Sequence, residues 1–291
     1  MRICHNNIPF HLSFFHQSRF YKKVNRGEIL FNMDYEIIPF TKAGQNISLL
    51  LELRKKHVIH TVLEADVTDA REKIKEYKKK GIDVSFTAWF IKCFVEVMKE
   101  EKLFNSIRHG RKKIVIYNDI DVAIPIEREF DMEARPVAYI IRKANEMGIE
   151  DITKEIRKAQ KMEIEEKTQV LDRMDFLRKF ALNSPAFIQK FLWLVLGKNA
   201  FRKKKYMGTT AVTAVGVKGN FKGWLITLGG HFTTSAAIGG ITKKVVMKDG
   251  KLAEREFLRF IISVDHDIID GAPLARFSNK LINLLEESYG L

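Results

Sequence analysis

Residues 236–266, AAIGGITKKVVMKDGKLAEREFLRFIISVDH, place two runs rich in β-branched and apolar residues on either side of Asp249-Gly250. An Asp-Gly pair between two such runs is a strong hairpin signal, because glycine takes the positive φ of a tight turn at little cost. A hairpin alone is marginal in water, so this one needs further strands and a covering layer.

The rest of the chain supplies both. YEIIPF reads as a short strand and ISLLLELRKKH as a helix. HTVLEADVT alternates as a strand does, and AREKIKEYKKKG is a charged helix closed by Gly81. Ser85 and Thr87 precede AWFIKCFVEVMKEEK, whose Phe90, Phe94 and Val97 share one helical face. KKIVIYNDIDVAIPIE gives two strands about a turn at Asn118-Asp119, and ARPVAYIIRKANEMGIEDITKEIRKAQ gives a strand and then a helix with Asp151 as its N-cap. GTTAVTAVGV is strand-like, and APLARFSNKLINLLEES closes the chain as a helix. Strands alternate with helices, yet several are joined as hairpins. The expected fold is α/β in the sense of an α+β two-layer sandwich on a mixed sheet, not a doubly wound parallel one.

With 291 residues and 46% hydrophobic content, one large domain with an ample core is expected at 34–291. Residues 1–33 lack any convincing period and read as a disordered extension or a mis-assigned start, with Met33 as the functional beginning. Cys4 and Cys93 allow no disulfide framework or CxxC metal site, which points to a reducing cytoplasm. His5, His11 and His16 fit no single helical face, so no metal is expected. The net charge of +14 suits a polyanionic partner or a solvated lysine surface. The lysines are dispersed and the aromatics look buried, which argues against nucleic acid. The glycines fit neither GxxxxGK[ST] nor a strand-following GxGxxG.

The second strand of the hairpin ends on SVDHDIIDGAPLARF. There His266 meets a turn in which Gly271 is expected to permit the tight bend and Pro273 to start the helix. An imidazole fixed by packed elements on both sides is suited to taking a proton from a thiol or hydroxyl. Asp270, four residues on, is placed to hold the turn. Taken alone, His-x-x-x-Asp-Gly is better explained by a satisfied core histidine and a helix cap.

SVDHDIIDGAPLARFSNKLINLLE closely resembles the end of the catalytic domain of 2-oxoacid dehydrogenase acyltransferases, the E2 components, and more loosely chloramphenicol acetyltransferase. The resemblance continues collinearly through IPFTKAGQNISLLLELRKKHVIHTVLEADVT, DVSFTAWFIKCFVEVMKEEKLFNS, IVIYNDIDVAIPIE, ARPVAYIIRKANEMGIEDITKEI and GTTAVTAVG. It is weakest at about 161–206, which reads as a helical insertion. The resemblance implies a chloramphenicol acetyltransferase-like fold, direct acyl transfer between thiol or hydroxyl carriers, and coenzyme A (acyl-CoA) as a substrate. It implies His266 as general base, Thr213 as the hydroxyl on the oxyanion, Asp270 as holder of the turn, and a homotrimer with sites at subunit interfaces. The residues that bind coenzyme A are not assigned.

Three departures qualify that picture. AGQNISLLLEL stands where the family carries an Arg-x-x-Ile-Ala-x-Arg-Met pattern, which leaves the ion-pair partner of Asp270 open. No covalently carried lipoyl group is expected on this chain. VKGNFKGWLITLGGHFTTSAAIGG lacks the usual Asn-Pro stretch, so the acceptor is expected to be a small or lipid-like molecule. Two alternatives are an acyltransferase core whose lipoyl domain lies on another chain, and a non-catalytic trimeric scaffold. Residues 176–206 are aromatic and flanked by lysines. Packing on the domain or at the trimer interface is the simpler expectation there, with contact at a membrane surface or a tunnel for a long acyl chain as the competitors.

Overall fold

The computed structural model describes residues 57–110, 112–130, 133–161, 184–185, 188, 199–214, 221–227, 231–248 and 250–291. All lie in one unit, Lys42–Leu291. The expectations for residues 1–56, and for most of the aromatic segment, fall outside the described residues.

The long hairpin forms as its Asp-Gly signal requires. β7 (Thr234–Lys248) and β8 (Lys251–Asp265) pair antiparallel, and Gly250 carries φ 75° in the turn. β8 also pairs antiparallel with β1 (Val58–Asp66), the strand read from HTVLEADVT. On the other side β7 pairs parallel with β6 (Thr210–Thr213), which pairs parallel with β4 (Val122–Phe130). β5 (Glu133–Ile141) completes the sheet antiparallel to β4. The order β1-β8-β7-β6-β4-β5 makes six strands with both pairing modes, the mixed sheet expected from hairpins interspersed with crossovers.

Five described helices accompany it: α1 (Thr68–Lys79), α2 (Phe86–Glu100), α3 (Ile149–Lys161), α4 (Ala200–Met207) and α5 (Gly271–Glu286). α2 buries Ala88, Trp89, Phe90, Ile91, Cys93, Phe94, Val95, Val97 and Met98, so it is the central helix rather than a surface one. Its Phe90 meets Phe260 of β8 edge-on, with ring centres 5.6 Å apart. Phe277 of α5 takes Phe94 edge-on at 5.7 Å and stacks on Phe104 at 4.2 Å. Removing such a ring costs about 3–5 kcal/mol. The buried indole of Trp89 is accommodated because its N–H donates to the Tyr289 carbonyl at 3.0 Å.

Leu258, Phe260, Ile262 and Val264 therefore face the helices, while Arg259, Ile261 and Ser263 face the other way. Two layers and a mixed sheet match the expected class. Two local readings do not hold. Asp151 is the third residue of α3 rather than its cap. The strand read at 113–116 (β3, Lys113–Ile116) pairs with β2 (Ser106–His109) in a separate two-stranded sheet, not with β4.

Candidate active site

β8 carries the chain to His266 one strand in from the edge of the sheet, held by β7 on one side and β1 on the other. The His266 N–H donates to the His57 carbonyl at 2.7 Å, extending the β1–β8 ladder one residue past the strand. The chain then folds back. The Asp265 carbonyl accepts from Ile268 and Ile269 N–H at 3.0 Å each, and the Asp265 carboxylate accepts from the Asp267 N–H at 3.2 Å. Asp265 is 1% exposed and Ile269 fully buried, so the turn is pinned from below by one carboxylate and one apolar side chain.

The ring of His266 is about half exposed, at 48%. Its Nδ1 lies 3.2 Å from the Ile269 carbonyl. A carbonyl can only accept, so the bond requires the proton on Nδ1 and leaves Nε2 as the basic nitrogen of the neutral ring. A neutral ring held in this way can accept a proton at Nε2, and a main-chain atom selects that tautomer.

Asp270 occupies the N-cap position of α5 with extended backbone (φ −81°, ψ 169°), but its side chain makes no capping bond. Its Oδ1 lies 3.7 Å from His266 Nδ1, beyond hydrogen-bond distance, and the side chain is 85% exposed. Among the described residues no arginine reaches it. Gly271 is the first residue of α5; its φ is not left-handed, and a Cβ built there meets nothing within 4 Å. The tight bend is made by residues 265–269, so the expectation that the turn needs glycine at 271 is corrected.

Thr213 ends β6 and is half buried. The strand before it is set by Gly208, whose φ of +83° and whose Asp121 carbonyl 2.7 Å from any Cβ exclude another residue without strain. Thr210 Oγ1 donates to the Thr234 carbonyl at 2.7 Å, tying β6 to β7. Thr213 pairs with Ala237, which pairs with Ile261. His266 is five residues beyond Ile261 on β8, roughly 16 Å along the strand, and two strands aside. One copy of the chain therefore does not bring Thr213 to His266.

Three groups around His266 were not picked out from the sequence: His57, Arg108 and Asp267. Asp267 Oδ1 lies 2.8 Å from His57 Nδ1, and Arg108 reaches Asp267 Oδ2 at 3.4 Å. The hydrogen bond from His57 and then the charge of Asp267 raise the pKa of the His57 ring above its usual 6.5. The signal was the Asp-His-Asp run itself, in which one aspartate goes under the turn and the other over it. Among the described residues no group of three or more histidine, cysteine, aspartate or glutamate side chains could hold a metal ion. No described helix is long and apolar enough to cross a membrane.

Comparison with known proteins places this arrangement. Residues 33–175 and 208–291 match the family described as 2-oxoacid dehydrogenases acyltransferase (catalytic domain). The chain is 25% identical over 257 residues to a lipoamide acyltransferase component of the branched-chain α-keto acid dehydrogenase complex of Bacillus subtilis (strain 168), covering 86% of this chain and 52% of that one. It is 23% identical over 262 residues to a dihydrolipoyllysine-residue acetyltransferase component of the pyruvate dehydrogenase complex of Mycoplasma pneumoniae, covering 87% and 56%. The chain thus spans about half the length of these curated relatives. In three dimensions it resembles a probable dihydrolipoamide acetyltransferase of Listeria monocytogenes, with a TM-score of 0.62 at 20% identity, over 88% of this chain and 96% of that one. It also resembles the Azotobacter vinelandii dihydrolipoamide acetyltransferase, with a TM-score of 0.62 at 17% identity, over 88% and 93%. At these identities the likeness is one of fold. With the family profile covering most of the chain, from the first strands through the histidine turn, the chain belongs to the 2-oxoacid dehydrogenase acyltransferase (catalytic domain) family.

Proposed function

We propose that this chain is a coenzyme A-dependent acyltransferase that moves an acyl group directly between a thioester and a thiol or hydroxyl acceptor. The observation that carries the reading is the His266 ring, whose Nδ1–H is committed to the Ile269 carbonyl, leaving Nε2 to accept a proton. Nε2 takes the proton of the acceptor S–H or O–H as the sulfur or oxygen attacks the thioester carbonyl. The resulting tetrahedral oxyanion receives a hydrogen bond from the Thr213 hydroxyl, where negative charge exists only along the reaction path. Collapse breaks the C–S bond, and the departing thiolate of coenzyme A takes the proton back from the imidazolium. No covalent acyl-enzyme is formed.

The two groups come from different copies of the chain. A head-to-tail contact that joins the Thr213 surface of one subunit to the His266 turn of the next closes into a ring, and three subunits make three equivalent sites. Exposed apolar side chains support such a contact. Val62, 52% exposed, stands in the cross-strand row of Thr213, and Trp224, whose indole donates to the Leu63 carbonyl, adjoins it. The Azotobacter vinelandii enzyme was studied at a serine, a histidine and an asparagine whose printed positions set the asparagine four residues after the histidine. Here Thr213, His266 and Asp270 repeat that order and that last spacing.

The test is thiol release from acyl-CoAs, acetyl through long-chain, with dihydrolipoamide, chloramphenicol and simple alcohols as acceptors. The His266→Ala variant is expected to lose about 10²–10⁴-fold. No turnover by the wild type with any pair would replace this reading with a non-catalytic trimeric binding protein. The curated relatives favour a second reading, in which the chain is the core of a 2-oxoacid dehydrogenase complex and the acceptor is a lipoyl domain on another chain. A lipoylated domain used no better than free dihydrolipoamide would exclude it.

A further inference from the structure

We infer that Asp267, rather than Asp270, is the side chain that positions His266, acting as a strut between the histidine turn and two separate strands. The inference rests on the acyl-transfer reading for its kinetic consequence, but its geometry stands apart from that reading.

His57 is tied to the histidine turn twice. The backbone of His266 donates to the His57 carbonyl at 2.7 Å, and the ring of His57 meets the next side chain, Asp267, at 2.8 Å. The second oxygen of that carboxylate takes the guanidinium of Arg108 at 3.4 Å. The residue before β1, β2 and the β8–α5 turn, three segments distant in sequence, thus meet on one carboxylate, that of the residue next to His266 in the chain. A carboxylate suits this place because it accepts on two oxygens at once, from an imidazole on one side and a guanidinium on the other. Beneath it, the buried Asp265 carboxylate holds the Asp267 N–H at 3.2 Å, so the turn is fixed from both faces. Asp270 is 85% exposed and makes one contact with the ring, an i,i+4 approach of 3.7 Å that is an ion pair only when the imidazole is protonated.

The strut is solvent-exposed, with His57 82%, Arg108 47% and Asp267 36% accessible, so it contributes little to global stability. Its effect is on aim. A displacement of about 1 Å between reacting groups costs on the order of 100-fold in rate, far more than the pairs contribute to holding the fold.

The test compares Asp267→Ala, Asp267→Asn and Arg108→Gln with the wild type in melting temperature, in kcat and KM for an acyl-CoA, and in ring nitrogen spectra of 15N-histidine-labelled protein. Measured at alkaline pH, where the His57 ring is neutral, Asp267→Ala is expected to keep its melting temperature and its KM, to lower kcat about 10-fold or more, and to change the His266 ring signals. Asp267→Asn, which keeps one acceptor oxygen, is expected to recover part of the loss, and Arg108→Gln to reproduce part of it from the other side. A kcat within about twofold of wild type in Asp267→Ala, or a loss that follows the melting temperature in all three variants, would overturn the inference. If the wild type transfers no acyl group, the acyltransferase reading fails on its own. The spectra still decide the strut: unchanged His266 ring signals in Asp267→Ala would refute it, and changed ones would uphold it.

Discussion

Thr213 and His266 belong to one sheet yet stand five residue levels and two strands apart, with Thr213 level with Ile261 through Ala237. Neither side chain can span that gap within a single copy. A site that uses both is built between copies or not at all.

Mixing inactive variants tests this. Thr213→Ala is expected to lose about 100–1,000-fold as an oxyanion donor, and His266→Ala at least as much. Co-expressed in equal amounts, the two variants are expected to recover about a quarter of wild-type activity, because about one interface in four pairs an intact Thr213 with an intact His266. Recovery of nothing, with mixed trimers verified by mass, would place both residues in a single-copy site and contradict the register.

The two glycines near the site are expected to respond oppositely to alanine. At Gly271, in the first turn of α5, there is room for a Cβ and no left-handed φ, so Gly271→Ala is expected to be neutral or to stabilise by up to about 1 kcal/mol. At Gly208 the φ of +83° and the carbonyl of Asp121 at 2.7 Å make alanine costly, by about 2 kcal/mol or more. Urea denaturation of both variants measures the contrast; equal midpoints would refute it.

His57 should make stability pH-dependent in a definite sense. Its pKa is raised in the folded protein, so its contribution is fully present below the unfolded value of 6.5 and is lost as pH rises through the folded value. Melting temperatures of wild type and His57→Gln are expected to differ most just below pH 6.5 and to converge as pH rises above the folded value. A gap that is constant over that range would mean the pairing with Asp267 does not form in solution.

Acid should act at the opposite end of β1. Arg255 donates to Asp66 at 2.6 Å and to Asp69 at 2.8 Å. The hydrogen bond from Arg255 is the chief cause holding the Asp69 carboxyl below its usual 3.8. At Asp66, burial works to raise the pKa but is outweighed by the Thr68 hydroxyl and Arg255, so it too is lowered. This stabilisation is present above pH 3.8 and is lost as pH falls through the depressed values. Arg255→Gln is expected to cost about 2 kcal/mol at neutral pH, with the cost vanishing in strong acid. Denaturation midpoints across that range check it.

The layers of the fold were legible because they rest on periodicity. The β7–β8 hairpin, α2 and α5 follow from Asp249-Gly250 and from apolar spacing, and each forms where its pattern lies. β2 was not legible, since SIRH is four residues long with no alternation to read, and its pairing with β3 is a tertiary event. The site divides in the same way. His266 was marked by the junction it sits on, whereas His57 and Arg108 gain meaning only when β1 and β2 arrive beside the turn. Asp270 looked like the holder of that turn because it is four residues from His266. The chain bends at 265–269, and the Asp270 side chain, 85% exposed, keeps a 3.7 Å approach to the His266 ring.

The bond from the His266 ring to the Ile269 carbonyl bears on how such a site tolerates change. Every residue has a carbonyl, so substituting position 269 cannot remove the group that decides which nitrogen is basic. Nor does that group ionise, so acid or salt around the turn leaves its polarity intact. The proton inventory of the ring is written in the path of the main chain. The side chain at position 269 can drift without changing which nitrogen is basic, provided the bend from Asp265 to Ile269 is kept.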